Sequence, residues 1–384
     1  MEKTQAIDFE SDEVKKAMLD VVQKTTTHVG AGWWDRQKDE GGGSRPLSRS
    51  RRRLLAGEGD STNYHVTSET VGGEVVFDEI EKESLKTLIW KLARFCRLRV
   101  LTYAVMGNHF HVLLEVPDRK KLVEEFTGHD GEKRLLTHMK CMYSAPAVRS
   151  LEAELASMRE QGREEDAAAV VESVIARMGD LSHYVKELKQ RFTRWYNKRH
   201  GRRGTLWMDR FKCVMVENGE TLRTMAQYID LNPVRAQLVD DPANYRWCGW
   251  AEALGGSRRA KRGICRVMDY SLDHWERGQT EAQDNYASVL HSILKGSDPG
   301  QEDQSGSITP SLGNLLLKRV RYFTDGEVIG SKEFVERIYQ INRNQYPAGR
   351  KHPSRPWRDP SDLNKRADFG IHTIKDLRLD VYQD

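Results

Sequence analysis

Apolar and polar residues alternate from Tyr64 to Val71 (YHVTSETV), and Gly72-Gly73 turns the chain after them. A period of two is that of a strand with one face in a core. The period then lengthens: between Phe77 and Arg97, residues Ile80, Leu85, Leu88, Leu92 and Phe95 fall near one stripe, which predicts an amphipathic helix. Two strands are expected next, VLTYAVM (Val100–Met106) and the run that starts at His109, joined by a Gly107-Asn108 turn. The expected order is strand, helix, strand, strand.

Helical spacing dominates beyond Pro117. Residues 150–180 are rich in Ala, Glu and Arg and predict a helical hairpin broken near Gly162, an insertion of about 145–182. FKCVMVEN (Phe211–Asn218) reads as a further strand, and Gly219-Glu220-Thr221 opens a helix through TLRTMAQYIDLNPV. That helix must end near Asn232, because Pro233 disfavours helical backbone in the residue before it. After Gly255 the pattern is weaker. SLGNLLLKRVRYF and SKEFVERIYQI predict two short helices around TDGEVIG, either a helix-turn-helix-like module or a plain helical brace. AGRKHPSRPWRDPSD, rich in Pro and Arg, is expected to be irregular. At the other end, GGGSRPLSRSRRR (Gly41–Arg53) cannot build a core and reads as a solvated tail or a phosphate-neutralising arm. The expected plan is a basic arm (1–56), a main domain (57–250), a helical region (251–350) and an irregular tail (351–384).

Composition narrows the class. The 384 residues suffice for about two domains with a sizeable core. No apolar run approaches the roughly 20 residues that span a bilayer, and MEKTQAIDFESDEVKK lacks a signal-peptide pattern. Five cysteines without CxxC spacing fit a reducing cytoplasm rather than a disulfide scaffold. The net charge of +4 says little about partners, but its distribution says more. Lys189–Lys212 (KQRFTRWYNKRHGRRGTLWMDRFK) holds nine Lys and Arg against one acid, with Phe192, Trp195, Tyr196, Trp207 and Phe211 interleaved. Cations meet phosphates and aromatic rings stack on unpaired bases. The plainer alternative is a solvated helix whose aromatics face the core.

The candidate chemistry lies in VMGNHFHVLLEVP (Val105–Pro117). His109 and His111 are two apart, so on a strand they point the same way, roughly 6–7 Å apart, while Phe110, Val112, Leu114 and Val116 line the other face. A divalent cation is one reading; coincidence on a half-exposed strand is the other. The residues that follow lack the Asp-His of many zinc hydrolases, so two imidazoles with room for oxygen ligands suit Mg²⁺ or Mn²⁺ on a phosphate. Tyr228 and Asn232, four apart, share a helix face. With a reference pKa near 10, a tyrosine phenol needs a metal or nearby cations to act as a nucleophile.

These stretches together carry a family resemblance. YHVTSETV, YAVMGNHFHVLLEVP, RRGTLWMDRFK, YIDLNPVRA and then Tyr245-Arg246-Trp247 occur in this order from about Tyr64 to Trp250, roughly half of the chain. The chain resembles the REP-associated tyrosine transposases, single-tyrosine HUH endonucleases related to small insertion-sequence transposases. The resemblance implies an α+β, ferredoxin-like domain with a central antiparallel sheet, a helical insertion and a helical C-terminal extension. It implies His109 and His111 as metal ligands, Tyr228 as nucleophile and Asn232 as a third ligand. It also implies a cytoplasmic protein whose partner is single-stranded DNA with a hairpin-forming palindromic repeat, cut and rejoined through a 5′-phosphotyrosine. Lys189, Arg194, Lys198, Arg199, Arg202, Arg203, Trp207, Arg210 and Lys212 would then contact DNA. Glu69, where relatives often carry arginine, departs from the pattern. Three alternatives remain: a non-catalytic DNA-binding relative, a replication-initiator or relaxase-type nuclease, and an RNA-binding module. No P-loop or second tyrosine motif is apparent to favour the second.

Overall fold

Local chemistry sets most element boundaries. The computed structural model describes residues 61–271, 275, 280–295, 316–317, 322–346, 354–358 and 368–375, so the expected arm of 1–56 and most of SLGNLLLKRVRYF lie outside the described residues. Strand β1 (Ser61–Glu69) leads to helix α1 (Glu79–Phe95), which starts where the Asp78 carboxylate accepts from the Ile80 and Glu81 amides. Strands β2 (Arg99–Val105) and β3 (His109–Pro117) flank the Gly107-Asn108 turn. Helices α2 (Arg119–Glu124), α3 (Gly131–Met139), α4 (Ala145–Glu160), α5 (Glu164–Ile175) and α6 (Leu181–Arg199) follow. Gly162, at φ 73°, makes the break between α4 and α5 that the sequence predicts. Strand β4 (Lys212–Val216) then leads through Gly219, at φ 79°, into helix α7 (Glu220–Asp230). The Asn-Pro pair starts a separate turn of helix, α8 (Asn232–Arg235). The remaining elements are α9 (Gly249–Leu254), α10 (Arg258–Met268), α11 (Glu281–Leu294), α12 (Tyr322–Asp325), β5 (Gly326–Gly330), α13 (Lys332–Ile341), β6 (Arg355–Arg358) and β7 (Asp368–Lys375).

The chain divides into two compact units. One takes Asp78–Leu98 and Pro117–Thr205 and is helical, so it extends past the expected insertion on both sides. In it α1 packs on α6, and the buried Tyr184 hydroxyl donates to the Ile89 carbonyl. Its buried polar centre is Arg177, which donates to the Tyr143 hydroxyl and pairs with Glu187.

The other unit holds Arg99–Val116 and everything described from Leu206 onward, together with the strand before Phe77. Its core is a seven-stranded sheet in the order β2-β3-β1-β4-β5-β7-β6. Antiparallel pairing sets Ala104 opposite His111 and His65 opposite Val214. Phe110, Val112 and Leu114 are fully buried, as the alternation of β3 predicts. Helices α7 and α10 pack against β2 and touch each other, and α12 packs against β4 and β1.

The fold is α+β, with two departures from expectation at its C-terminal side. TDGEVIG is not the turn of a helix-turn-helix: Val328 and Ile329 are fully buried in β5, which joins β4 in parallel, so the sheet is mixed rather than antiparallel. The reason is a β-branched pair between two glycines, too short to show alternation. The tail expected to be irregular supplies β6 and β7, paired antiparallel with one another and, through β7, with β5. Pro356 lies on the last strand of the order, an edge, where the missing amide breaks no central ladder. Among the described residues no helix is long and apolar enough to cross a membrane.

Candidate functional site: a histidine chain beside Tyr228

Strands β1 and β3 are neighbours, and they bring a third imidazole to the pair on β3. His65 Nε2 lies 2.9 Å from His111 Nδ1, and its own Nδ1 lies 2.8 Å from the Phe323 carbonyl oxygen. Burial pushes the pKa of fully buried His65 down to about 4, so the ring is neutral at pH 7 and carries one N–H. A carbonyl only accepts, so that proton sits on Nδ1. His65 Nε2 must then accept, and His111 Nδ1 donates to it. The tautomer of His111 is fixed by this chain, with its one in-plane lone pair at Nε2.

His109 is fixed in the same sense by a different neighbour. Asn108 Nδ2 donates to the Gly73 carbonyl over 2.8 Å, which orients the amide and turns Oδ1 toward His109 Nδ1 at 2.6 Å. His109 Nδ1 is therefore the donor, and Nε2 again carries the lone pair. The two rings lie with centroids 5.0 Å apart and nearly perpendicular. Both histidines thus have one nitrogen held by a hydrogen bond and the other basic, the arrangement that orients imidazole ligands of metals.

Tyr228 stands edge-on to His65 and to His111, at 6.3 Å between centroids in each case. Phe323 covers another side of its ring at 4.5 Å, and Tyr228 is 2 % exposed. The Arg235 guanidinium carbon lies 3.9 Å from the ring centroid, a cation–π geometry. Arg235 also donates to the Tyr228 carbonyl at 2.8 Å and to the Leu316 carbonyl at 2.7 Å, so it ties the end of α7 to residue 316. Burial lowers its pKa to about 10, which leaves it charged at neutral pH.

The other expected site residues divide. Asn232 turns its amide nitrogen back to the Ile229 and Tyr228 carbonyls, at 3.2 and 3.4 Å, and so closes α7. Its described hydrogen bonds go there and not to His109 or His111. In the helical unit, Arg194, Lys198, Arg199, Arg202 and Arg203 are exposed and Lys189 is half-exposed. Arg199 is also committed to the buried Glu81 carboxylate, at 3.1 Å. In the sheet unit, Arg210 and Lys212 are exposed, but Trp207 is buried. Its ring is buried between Phe77 and Phe110, at 5.7 and 5.5 Å. Phe192 and Tyr196 are buried as well, because their spacing of four puts them on the inner stripe of α6, away from Arg194 and Lys198.

Three residues escaped the sequence reading. His65 sits in YHVTSETV, where its position alternate to Tyr64 and Val66 was the available signal. Asn108 was read only as a turn residue. Arg235 lies seven residues after Tyr228, two helical turns, in the motif already quoted.

No protein-family model matches the chain, and no curated protein matches it. A solved structure of a REP-associated tyrosine transposase bound to a REP hairpin is similar at 15 % identity, covering 55 % of this chain and 87 % of that chain, with a TM-score of 0.33. Among the described residues no group of three or more His, Cys, Asp or Glu side chains is arranged to hold a metal ion.

Proposed function

We propose that the chain is an HUH-type DNA strand transferase that acts on single-stranded, hairpin-forming DNA, with Tyr228 as nucleophile. The observation that carries this reading is the pair of oriented imidazoles, each pinned at Nδ1, beside a tyrosine under a buried arginine. His109 and His111 fit a divalent cation through Nε2, and amide, phosphate or water oxygens would complete the shell. Such an ion, Mg²⁺ or Mn²⁺, supplies Lewis-acid polarisation of a phosphodiester when bound.

This chain's own residues do the rest. The Tyr228 oxygen loses its proton and attacks phosphorus, the bond to the 3′-oxygen breaks, and that oxygen takes up a proton, so the strand leaves with a 3′-hydroxyl while the 5′-phosphate stays on tyrosine. Attack by another 3′-hydroxyl reverses the step, so the phosphodiester bond is conserved and no nucleotide is consumed. Arg235 holds the Tyr228 backbone and faces its ring with positive charge, which favours the electron-rich oxygen of the attacking phenol. Tyr228 is 2 % exposed, so part of its covering, which includes Phe323, must open before a phosphate reaches it.

That same burial favours one second reading, a non-catalytic DNA-binding relative whose tyrosine only fills the core. The two readings part on a labelled single-stranded hairpin incubated with the protein and Mn²⁺. The transferase forms an adduct that survives SDS and maps to Tyr228 by mass spectrometry, and Tyr228→Phe abolishes it without loss of binding. An adduct on another tyrosine, or none in the wild type, removes the assignment.

A further inference from the structure

Helix α10 has the sequence RRAKRGICRVM, five cations and no acid. Its apolar stripe, with Ala260, Gly263, Ile264 and Val267, is buried, and it lies on β2 so closely that a Cβ on Gly263 would stand 2.2 Å from the Leu101 carbonyl oxygen. The opposite face shows Arg258, Arg259 and Arg262 to solvent, with Lys261 and Arg266 half-buried at its margins. Glu252 answers Arg259 at 3.0 Å, and Glu115 answers Arg266 at 3.0 Å.

Like charges recur along this helix at close spacing. Arg258 and Arg262 are four apart, as are Arg262 and Arg266, and like charges at that spacing repel. Arg258, Arg259 and Lys261 also crowd the first turn, where the helix dipole is positive, and the cap residue Ser257 makes no side-chain cap bond. An anion relieves both. Because the cations recur about 6 Å apart along the axis, at 1.5 Å per residue, a point anion meets one tier and a linear polyanion meets several. An anionic membrane suits the face poorly: interfacial helices bury an apolar face in lipid, and here that face is already spent on β2.

We propose that the exposed face of α10 is a docking surface for a run of DNA backbone phosphates, beside the helix that carries Tyr228. This rests on the DNA reading of the neighbouring site, though not on its covalent chemistry. Each backbone phosphate engaged contributes about 0.7 (single strand) to 0.9 (duplex) to the log–log dependence of affinity on salt.

The test uses the full chain and a fluorescent single-stranded hairpin, with anisotropy titrations from about 50 to about 300 mM salt. Arg258→Glu with Arg262→Glu should lower the slope by about 1.4 to 1.8 and weaken binding on the order of tenfold near 0.1 M salt. Arg262→Gln serves as the milder variant, with unchanged circular dichroism required of both. Tyr228→Phe should keep the wild-type slope. An unchanged slope in the folded variants overturns the proposal, as does loss of binding to phosphatidylserine vesicles with DNA binding intact. If no adduct forms but the slope falls, the transferase reading fails and this surface stands. If the adduct forms and the slope holds, this surface alone fails.

Discussion

Asn108 works in two directions at once: its amide nitrogen is bonded to Gly73 and its amide oxygen to His109. Removing it takes away the acceptor that fixes the His109 tautomer while leaving the ligand itself in place. Partners of this kind are worth 10–100-fold in metal affinity. Asn108→Ala should therefore weaken Mn²⁺ binding by about one to two orders of magnitude, read by calorimetry, with the fold retained. Wild-type affinity in that variant would count against His109 as a ligand. Trp207 gives the opposite kind of expectation. Wedged between Phe77 and Phe110, it should cost about 3–5 kcal/mol on truncation to alanine, whereas Trp207→Phe should leave DNA affinity unchanged. A large affinity loss in the Phe variant would restore it as a stacking residue. At this scale the sequence showed what one strand carries. His109 and His111 are two residues apart and were visible; His65 meets His111 across 46 residues, and only the strand order brings them together.

Helix α7 is tied down by a buried carboxylate as well as by Arg235. Asp230 is fully buried and accepts from Thr102 on β2 (2.8 Å), Tyr286 on α11 (2.6 Å) and the Trp250 amide on α9 (3.2 Å). Burial nonetheless dominates and raises its pKa from 3.8 to about 6. The folded state thus binds this proton more tightly than the unfolded chain does. Its contribution is fullest below pH 4 and is lost as pH rises toward 6. Two pKa units and a fraction correspond to about 3 kcal/mol. Asp230→Asn removes the titration, so the stability of the variant relative to wild type should rise by about that amount between pH 4 and 6 and then level. A flat difference in urea unfolding across this window would show that the donors around Asp230 already offset the burial. Elements were legible where their pattern was long: β1 to β3, α1 and the α4–α5 pair follow from period alone. The strands β5 to β7 did not, because β5 and β6 are short, all three are glycine- or proline-marked, and β5 finds its partner β4 over a hundred residues earlier.

For the whole chain, a net charge of +4 in 384 residues is too small to give a general attraction for DNA. Any steep salt dependence must come from local clusters, and the Lys189–Lys212 segment is one that the sequence displays. The structure narrows it. Its aromatic residues Phe192, Tyr196 and Trp207 are core, and Arg199 has a carboxylate partner, so the exposed Arg202 and Arg203 are the better phosphate contacts. They lie beyond the end of α6, where substitution disturbs no helix interior. Arg202→Glu with Arg203→Glu should lower the single-strand salt slope by about 1.4, that is about 0.7 for each phosphate released, with the melting temperature unchanged. The loss should be shared by all single strands whatever their sequence, since phosphate contacts carry no base readout. An unchanged slope in the folded variant would return this segment to an ordinary solvated surface, and a loss confined to one sequence would mean that these arginines read bases instead.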